Sequence, residues 1–364
     1  MSKPKPSPKT SRRAGDAPTL SDVAKAAGVS PMTASRVINK DPAVRAATRA
    51  LVDAAIARLN YTPNTAARSL AGARRARITL LYGNPSSAYL SELLVGCLTE
   101  ASRSDVQLLL EKCALDGDAD AFARQLIDAG IDGVILPPPF GDSQTFLQAL
   151  TAAGIPASVF SASKPAPDMI ALSIDDRQAA FDMTRTLLAR GHRRIGFIAG
   201  NTNQAASAKR LDGYRQALME AKLELDEALI AQGDFSYRSG LTATAALLDL
   251  PQPPTAIFAS NDDMAAAAIA VAHSRHIDVP LQLSICGFDD TALATTVSPE
   301  LTTVRQPVAE MAQAAVAMLT ASLAKRRRTG ESAAGKIHIF AHEIIQRRSD
   351  GPPPDAPKRS RSRR

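Results

Sequence analysis

The stretch TLSDVAKAAGVSPMTASRVINK, residues 19–40, carries the side chains with the plainest chemistry in the chain. Two helical patterns are separated by Gly28 and by Ser30-Pro31. In the first, Thr19 can cap the N-terminus with Asp22 three residues on, close to a capping box, and Leu20, Val23, Ala24 and Ala27 form an apolar stripe. Gly28 suits a left-handed stop. In the second, Ser30 caps, Pro31 fits the first helical position, and Ala34, Val37 and Ile38 supply the buried face. Thr33, Ser35, Arg36 and Asn39 then fall on the outward side, where a compact bundle gains nothing from them. Ala24, Gly28 and Val37 fill the three positions a helix-turn-helix needs, and that motif presents the start of its second helix to the DNA major groove. On this stretch alone an Ala-rich three-helix bundle would have similar apolar spacing.

Charge favours the DNA reading. The net +7 of the 364 residues is unevenly spread: residues 1–17 carry +4, residues 18–76 carry +6 and residues 347–364 carry +5, leaving 77–346 at −8. A basic N-terminal sixth on an acidic body reads as a polyanion-binding module attached to something else. Enzyme chemistry finds little support. No G-x-G-x-x-G, P-loop or H-E-x-x-H occurs, and no nucleophile-elbow sequence organises Ser, His and Asp. His273 with His276, and His338 with His342, are spaced as metal ligands can be, but no third ligand is evident, so solvated or capping roles are expected. Cys97, Cys113 and Cys286 are odd in number and widely spaced, which suggests a reduced, cytoplasmic setting rather than disulfides or zinc. No apolar run reaches the ~18 residues of a membrane span, and the charged N-terminus has no apolar run behind it, unlike a secretory signal.

The elements that would position these residues follow from periodicity. A third helix runs roughly from Ala46 to Leu59, with Leu51, Val52, Ala55, Ile56 and Leu59 at helical spacing, and Asn60 and Pro63 break it. Residues 64–72 then form a segment of about two turns, too short to be stable alone in water. From residue 77 apolar strands (78–82, 106–110, 132–137, 157–160, 194–200, 255–260, 284–289) alternate with helical stretches (90–103, 119–129, 177–190, 205–221, 262–275). Continuous apolar strands with helical crossovers indicate parallel sheets buried on both faces. The length favours two α/β subdomains with a cleft between them. The termini, rich in Ser, Pro, Lys and Arg, read as disordered.

TLSDVAKAAGVSPMTASRVIN followed by VRAATRALVDAAIARLNYTPNTAARSLAG resembles the DNA-binding domain of the lac-repressor (LacI/GalR) family nearly end to end. It departs at Ala34, where Val is usual, and carries Pro31 and Met32 where members vary. The α/β portion is similar to the same family through NPSSAY (84–89), IDD (174–176), RGHRRIGFIAG (190–200), KRLDGYRQAL (209–218), FASNDDMAAAAI (258–269), SICGFDD (284–290) and LTTVRQP (301–307), so the likeness covers about 19–325. The resemblance implies an N-terminal all-α helix-turn-helix domain with a hinge helix, followed by a two-subdomain periplasmic-binding-protein-like sensor. Its boundaries would be 1–17 for a disordered basic extension, 18–63 for the DNA-binding domain, 64–76 for the hinge helix and linker, 77–346 for the ligand-binding and dimerisation domain, and 347–364 for a disordered basic tail.

It also implies roles. Pro31, Met32 and Arg36 occupy base-reading positions, and a guanidinium at Arg36 can pair bidentately with guanine. Ser30, Thr33, Asn39 and Thr48 match phosphate and register contacts, and Thr19, Ser35, Asn64 and Ala71 complete the DNA-facing set. Leu70 matches the leucine that wedges into the minor groove. In the sensor cleft, Asp289, Asn261, Arg210 and Asp175 would hydrogen-bond a sugar-like ligand, with Tyr82, Tyr89 and Phe235 as aromatic candidates. Arg210 could instead simply pair with Asp212. The expected protein is a cytoplasmic homodimeric repressor of a carbohydrate-utilisation operon, with no enzymatic activity or cofactor, released from a near-palindromic operator by its effector. A solute-binding protein or a sugar-acting α/β enzyme are the rival readings.

Overall fold

The computed structural model describes residues 18–38, 41, 43–61, 75–104, 106–113, 118–161, 166–330, 335 and 337–354. The chain divides into two compact units, residues 1–75 and 76–364. The N-terminal unit holds α1 (Leu20–Ala27), α2 (Pro31–Ile38) and α3 (Ala46–Leu59). Its capping box forms as the sequence suggests: the Thr19 hydroxyl accepts from the Asp22 N–H, and the Asp22 carboxylate accepts from the Thr19 N–H at 2.8 Å. Gly28 stops α1 at φ 68°, where an L side chain is strained. Ser30 caps α2 by accepting from the Thr33 N–H at 3.1 Å. Val23, Ala24, Ala34, Val37, Val52 and Ala55 close a small core. Leu51, read as part of the apolar stripe, is instead 58% exposed. The stripe that faces α1 runs through Val52, Ala55, Ile56 and Leu59, and Leu51 is rotated off it by about 100°.

The C-terminal unit is two six-stranded sheets. The first is β1 (Ala76–Tyr82), β2 (Val106–Lys112), β3 (Gly133–Leu136), β4 (Ala157–Phe160), β5 (Ile170–Ile174) and β11 (Ile337–Phe340), in the order β11-β5-β4-β3-β1-β2, every pairing parallel. The second is β6 (Ile195–Ala199), β7 (Ile230–Gln232), β8 (Ala256–Ala259), β9 (Ser284–Asp289), β10 (Thr302–Arg305) and β12 (Glu343–Ile345), in the order β12-β10-β9-β8-β6-β7, with only β12 antiparallel. Helices α4 (Ser87–Arg103), α5 (Ala119–Asp128), α6 (Gln144–Ala152) and α12 (Val308–Thr329) accompany the first sheet; α7 (Asp176–Ala189), α8 (Ala205–Glu220), α9 (Tyr237–Leu248), α10 (Asp262–Ser274) and the short α11 (Leu293–Thr296) accompany the second. Every residue of β3, β4 and β8 is buried, as strands covered on both faces require. The chain passes between the sheets three times: after β5, after β10, and between β11 and β12. Gly96 lets α4 lie against α12, since a Cβ there would strike the Ala309 carbonyl.

Sequence periodicity did not reveal β5, β7, β10, β12, α6, α9 or the long α12. The boundary of the disordered tail at residue 347 also needs correction, because residues 347–354 are fixed to the second sheet. The Ser349 hydroxyl donates to the Ile285 carbonyl and accepts from the Thr302 N–H (2.8 Å). Buried Asp350 pairs with Arg190, and the buried His192 ring lies 2.9 Å from the Gly351 carbonyl. These partners lie 47 or more residues upstream, so composition alone could not show them. Asn39, Asn64, Leu70 and Ala71, and the hinge reading of 64–72 with them, lie outside the described residues.

Candidate functional site

The second helix of the N-terminal unit is short and split cleanly into two faces. Ala34 and Val37 are buried, whereas Pro31, Met32 and Arg36 are exposed and Thr33 and Ser35 are partly so. Met32, at 70% exposure, is an apolar side chain displayed to solvent and outside the small core. Arg36 is held loosely by Asp41 at 3.7 Å, an exposed pair of little energetic weight. The Ser30 and Thr33 hydroxyls are 2.8 Å apart, and the Ser30 hydroxyl also accepts the capping N–H, so both have capacity left for a further partner. Thr19 and Thr48 stand at the first turns of α1 and α3.

The C-terminal unit has its cleft at the carboxyl ends of both sheets, where open α/β folds place ligands. Its lining includes Asn84 beyond β1, Pro138 beyond β3, Ser161 beyond β4, Asp289 at the end of β9 and Gln306 beyond β10. Five residues expected from the sequence come together here: Tyr89, Arg210, Phe235, Asn261 and Asp289. Tyr82 and Asp175 do not line it. Tyr82 is the last residue of β1, and Asp175 caps α7 by accepting from the Gln178 N–H at 3.0 Å.

Arg210 is the centre of the cluster. It is 4% exposed and pairs with Asp176 rather than Asp212, donating from Nε (2.9 Å) with Nη2 at 2.8 Å. Its Nη1 donates to the Ser260 carbonyl at 2.5 Å and lies 3.8 Å from Asp289. The guanidinium also sits 3.6 Å from the Phe288 ring centre, a favourable cation–π contact. Asp289 adopts φ 114° and accepts from Gln306 Nε2 at 2.6 Å. Burial pushes the Asp289 carboxyl well above the usual range, and the Arg210 charge only partly offsets it. Asn261 is spent on the scaffold: it accepts from the Met264 N–H to cap α10 and donates to the Phe235 carbonyl at 2.9 Å. Phe235, at φ 72°, packs its ring on Gly200. Two hydrogen bonds join the lips: Ser86 donates to Asp263 at 2.6 Å, and the Ala205 N–H donates to Asp142 at 2.9 Å.

Sequence reasoning missed Asn84, Ser86, Ser161, Gln204 and Gln306. Three of them lie in stretches already singled out, NPSSAY and LTTVRQP, and a signal was available in their place just beyond strand ends. Gln306 Oε1 and Asp176 Oδ2 are buried and lack a hydrogen-bond partner.

The comparisons with known proteins fit both halves. The family model "Bacterial regulatory proteins, lacI family" matches residues 19–64, and the model "Periplasmic binding protein-like domain" matches residues 184–349. The transcriptional regulator DegA of Bacillus subtilis is 37% identical over 92% of this chain and 98% of its own length. The catabolite control protein A of Priestia megaterium is 32% identical over 91% and 98%. Among solved structures, the lac repressor dimer bound to operator and the anti-inducer ONPF covers 92% of this chain and all of its own at 26% identity, with a TM-score of 0.75. The CelR–cellobiose complex reaches 30% identity over 91% and 99%, with a TM-score of 0.67. Relatives matched over nearly their full length are regulators, not enzymes, and this chain belongs to the LacI family: it is a DNA-binding transcriptional regulator with a helix-turn-helix unit and a periplasmic-binding-protein-like domain.

Proposed function

We propose that this regulator is a cytoplasmic repressor of a carbohydrate-utilisation operon, released from its operator when a small sugar-like effector occupies the cleft. The observation that carries the reading is the buried set around Arg210, with Asp289, Gln306, Ser161, Gln204 and Asn84 converging beneath Tyr89 and Phe235. Directional donors and acceptors beside aromatic faces are what a hydroxyl-rich ring requires. The relatives solved with cellobiose or ONPF support the same ligand class. The cleft encloses only about 30 Å³, far below the ~150 Å³ that takes a benzene. An effector therefore has to part the lips at Ser86–Asp263 and Asp142–Ala205, and that movement gives it differential affinity for two arrangements.

On the DNA side, Arg36 reads a base, Pro31 and Met32 offer apolar contact, and Thr19, Ser30, Thr33, Ser35 and Thr48 hold phosphates. Asn39, Asn64, Leu70 and Ala71 belong to the same set by their sequence positions alone. Two copies pair to match a near-palindromic operator. Val95 and Leu98 on α4, with Leu110 on the neighbouring edge strand β2, are apolar and about half exposed or more, which suits them to that interface. The test is a thermal-shift screen of sugars, sugar phosphates and nucleosides. A stabilising neutral sugar supports the reading; stabilisation confined to nucleosides or sugar phosphates contradicts it.

A further inference from the structure

The carboxylate at the centre of the cleft stands on strained backbone. Asp289 adopts φ 114°, and Asp290, the next residue, φ 57°. Positive φ is uncommon outside glycine and is easiest for Asp or Asn. Two such residues in succession persist only where their surroundings fix them. Asp289 is fixed from within the cleft by Gln306, whose side chain donates to its carboxylate and whose N–H donates to its carbonyl at 3.4 Å. Asp290 is fixed from outside the cleft. Its side chain is 5% exposed and its carboxylate is held at both ends: Oδ2 accepts from Arg305 Nε at 2.7 Å, and Oδ1 accepts from Arg347 Nη2 at 2.6 Å.

The two guanidiniums come from separate elements. Arg305 is the last residue of β10, half exposed, and also reaches Glu343, the first residue of β12, at 3.4 Å. Arg347 lies just beyond β12, on the segment that runs to residue 354, and is 13% exposed. Its Nη1 donates to the Leu301 carbonyl and its backbone N–H to the Thr302 hydroxyl, both at 2.8 Å. The Thr302 hydroxyl in turn donates to buried Asp350 at 2.5 Å. Arg347 is the firmer half of the clamp, because exposed ion pairs are worth little. β10 leads into α12 of the first sheet and β12 arrives from β11, so the clamp joins the Asp289–Asp290 turn to two of the passages between the sheets.

We propose that Arg347 and Arg305 are positioning residues of the effector cleft: by clamping Asp290 they hold the strained turn that aims Asp289 at the ligand. The inference rests on the reading of the cleft as a sugar site. Neither arginine is among the residues that line the cleft, so their action on a ligand passes through Asp290. Without the clamp the turn relaxes toward ordinary φ and Asp289 leaves Gln306. The cleft then loses a carboxylate acceptor, while Arg210 keeps Asp176.

The test uses the full-length protein and compares the parent with Arg347→Gln, Asp290→Asn and the double variant; Asn tolerates the left-handed backbone as Asp does. Hydrogen exchange, read by mass spectrometry with no ligand added, should quicken about 10-fold or more in peptides covering residues 289–291 and 306 of either single variant. Exchange in β6 and β8 should stay as in the parent. D-Glucose, D-galactose and D-ribose serve as probes in calorimetry. Any that binds the parent should bind each single variant about 10-fold more weakly. The double variant should bind no more weakly than either single, because both changes remove one interaction. Arg347→Lys, which keeps the ion pair, should recover part of the loss. Unchanged exchange at the turn, or unchanged affinity for a sugar that binds the parent, would overturn the proposal. So would exchange that quickens equally in β6 and β8, the sign of a general loss of stability. An Arg347→Gln effect of full size in the Asp290→Asn background would also overturn it, since the side chain would then act through Leu301. Failure of all three sugars to bind the parent would count against the sugar reading and leave the exchange result to decide the clamp.

Discussion

The two functional regions of this regulator use polar side chains in opposite ways. On α2, Arg36 and Met32 are displayed on a small apolar core and their strongest internal tie is a 3.7 Å ion pair. At the cleft, Arg210, Asp176, Asp289 and Gln306 are buried and tied to one another, and buried Asn261 is bonded to the backbone of Phe235 and Met264. A surface that meets a large, highly charged partner keeps its side chains uncommitted, and the partner supplies their hydrogen bonds. A site that meets a small ligand must hold charges out of water before the ligand arrives, so each charge needs a neighbour. Mutations should therefore separate binding from folding on α2 and merge the two in the cleft.

The largest effect is expected at Arg210. Arg210→Met leaves Asp176 and Asp289 buried without their cation, a loss of ~3–5 kcal/mol measurable by urea unfolding of the full chain. A loss under about 1 kcal/mol would show that water, not Arg210, compensates those carboxylates.

Two glycines sharpen the same contrast in the backbone. Gly96→Ala forces a methyl onto the Ala309 carbonyl and should cost ~1–3 kcal/mol or more through repacking of α4 on α12. Gly28→Ala meets nothing within 4 Å and should cost only the left-handed strain of ~1–2 kcal/mol. Thermal midpoints of the two variants compare them directly, and a larger loss at Gly28 would reverse the assignment.

Arg36→Ala should weaken operator binding by ~1–3 kcal/mol, a factor of about 10–100, with relaxed preference at one base pair. Its unfolding midpoint should not move; a matching loss of stability would break the comparison.

The smallest effect is in pH. Burial raises the Asp262 carboxyl to about 7, although it accepts from the Thr303 hydroxyl at 2.6 Å and the Thr291 N–H at 2.8 Å. Its folded value lies above the ~3.9 of an unfolded chain. The folded state thus holds this proton more tightly, and the associated stability is complete below about pH 4 and lost as pH rises through 7. Asp263 and Asp289 are raised by burial in the same sense, while burial lowers His192 and acts oppositely. Between about pH 6 and pH 8 the parent should lose more stability than Asp262→Asn. Equal slopes would remove Asp262 as a source.

Much of this was legible from local chemistry. Thr19 with Asp22, Gly28, and the stripe of Val23, Ala24, Ala34 and Val37 obey rules that need only neighbours within four residues. The parallel strands announced themselves because burial on both faces makes them continuously apolar. What local rules could not supply was long-range. Leu51 sits one position off the stripe it seemed to join. The three-residue β7 and β12 are too short to show a period, and α12, rich in Ala and tailing into four cations, gave no clean apolar face. In the cleft, Arg210 and Asp289 were found at family-like positions. Asp176, the partner that fixes Arg210, and Gln306, which fixes Asp289, lie in stretches already singled out, but their pairings emerge only when α7 packs on α8 and β10 pairs with β9. The same holds for Ser349 and Asp350, whose partners are distant in sequence.

The coupling of the two regions is tested most directly by one titration: operator affinity of the full-length protein with and without a saturating sugar identified by thermal shift. The account predicts that the sugar weakens binding by about 5-fold or more, a coupling of at least ~1 kcal/mol. Unchanged or tightened binding would contradict it.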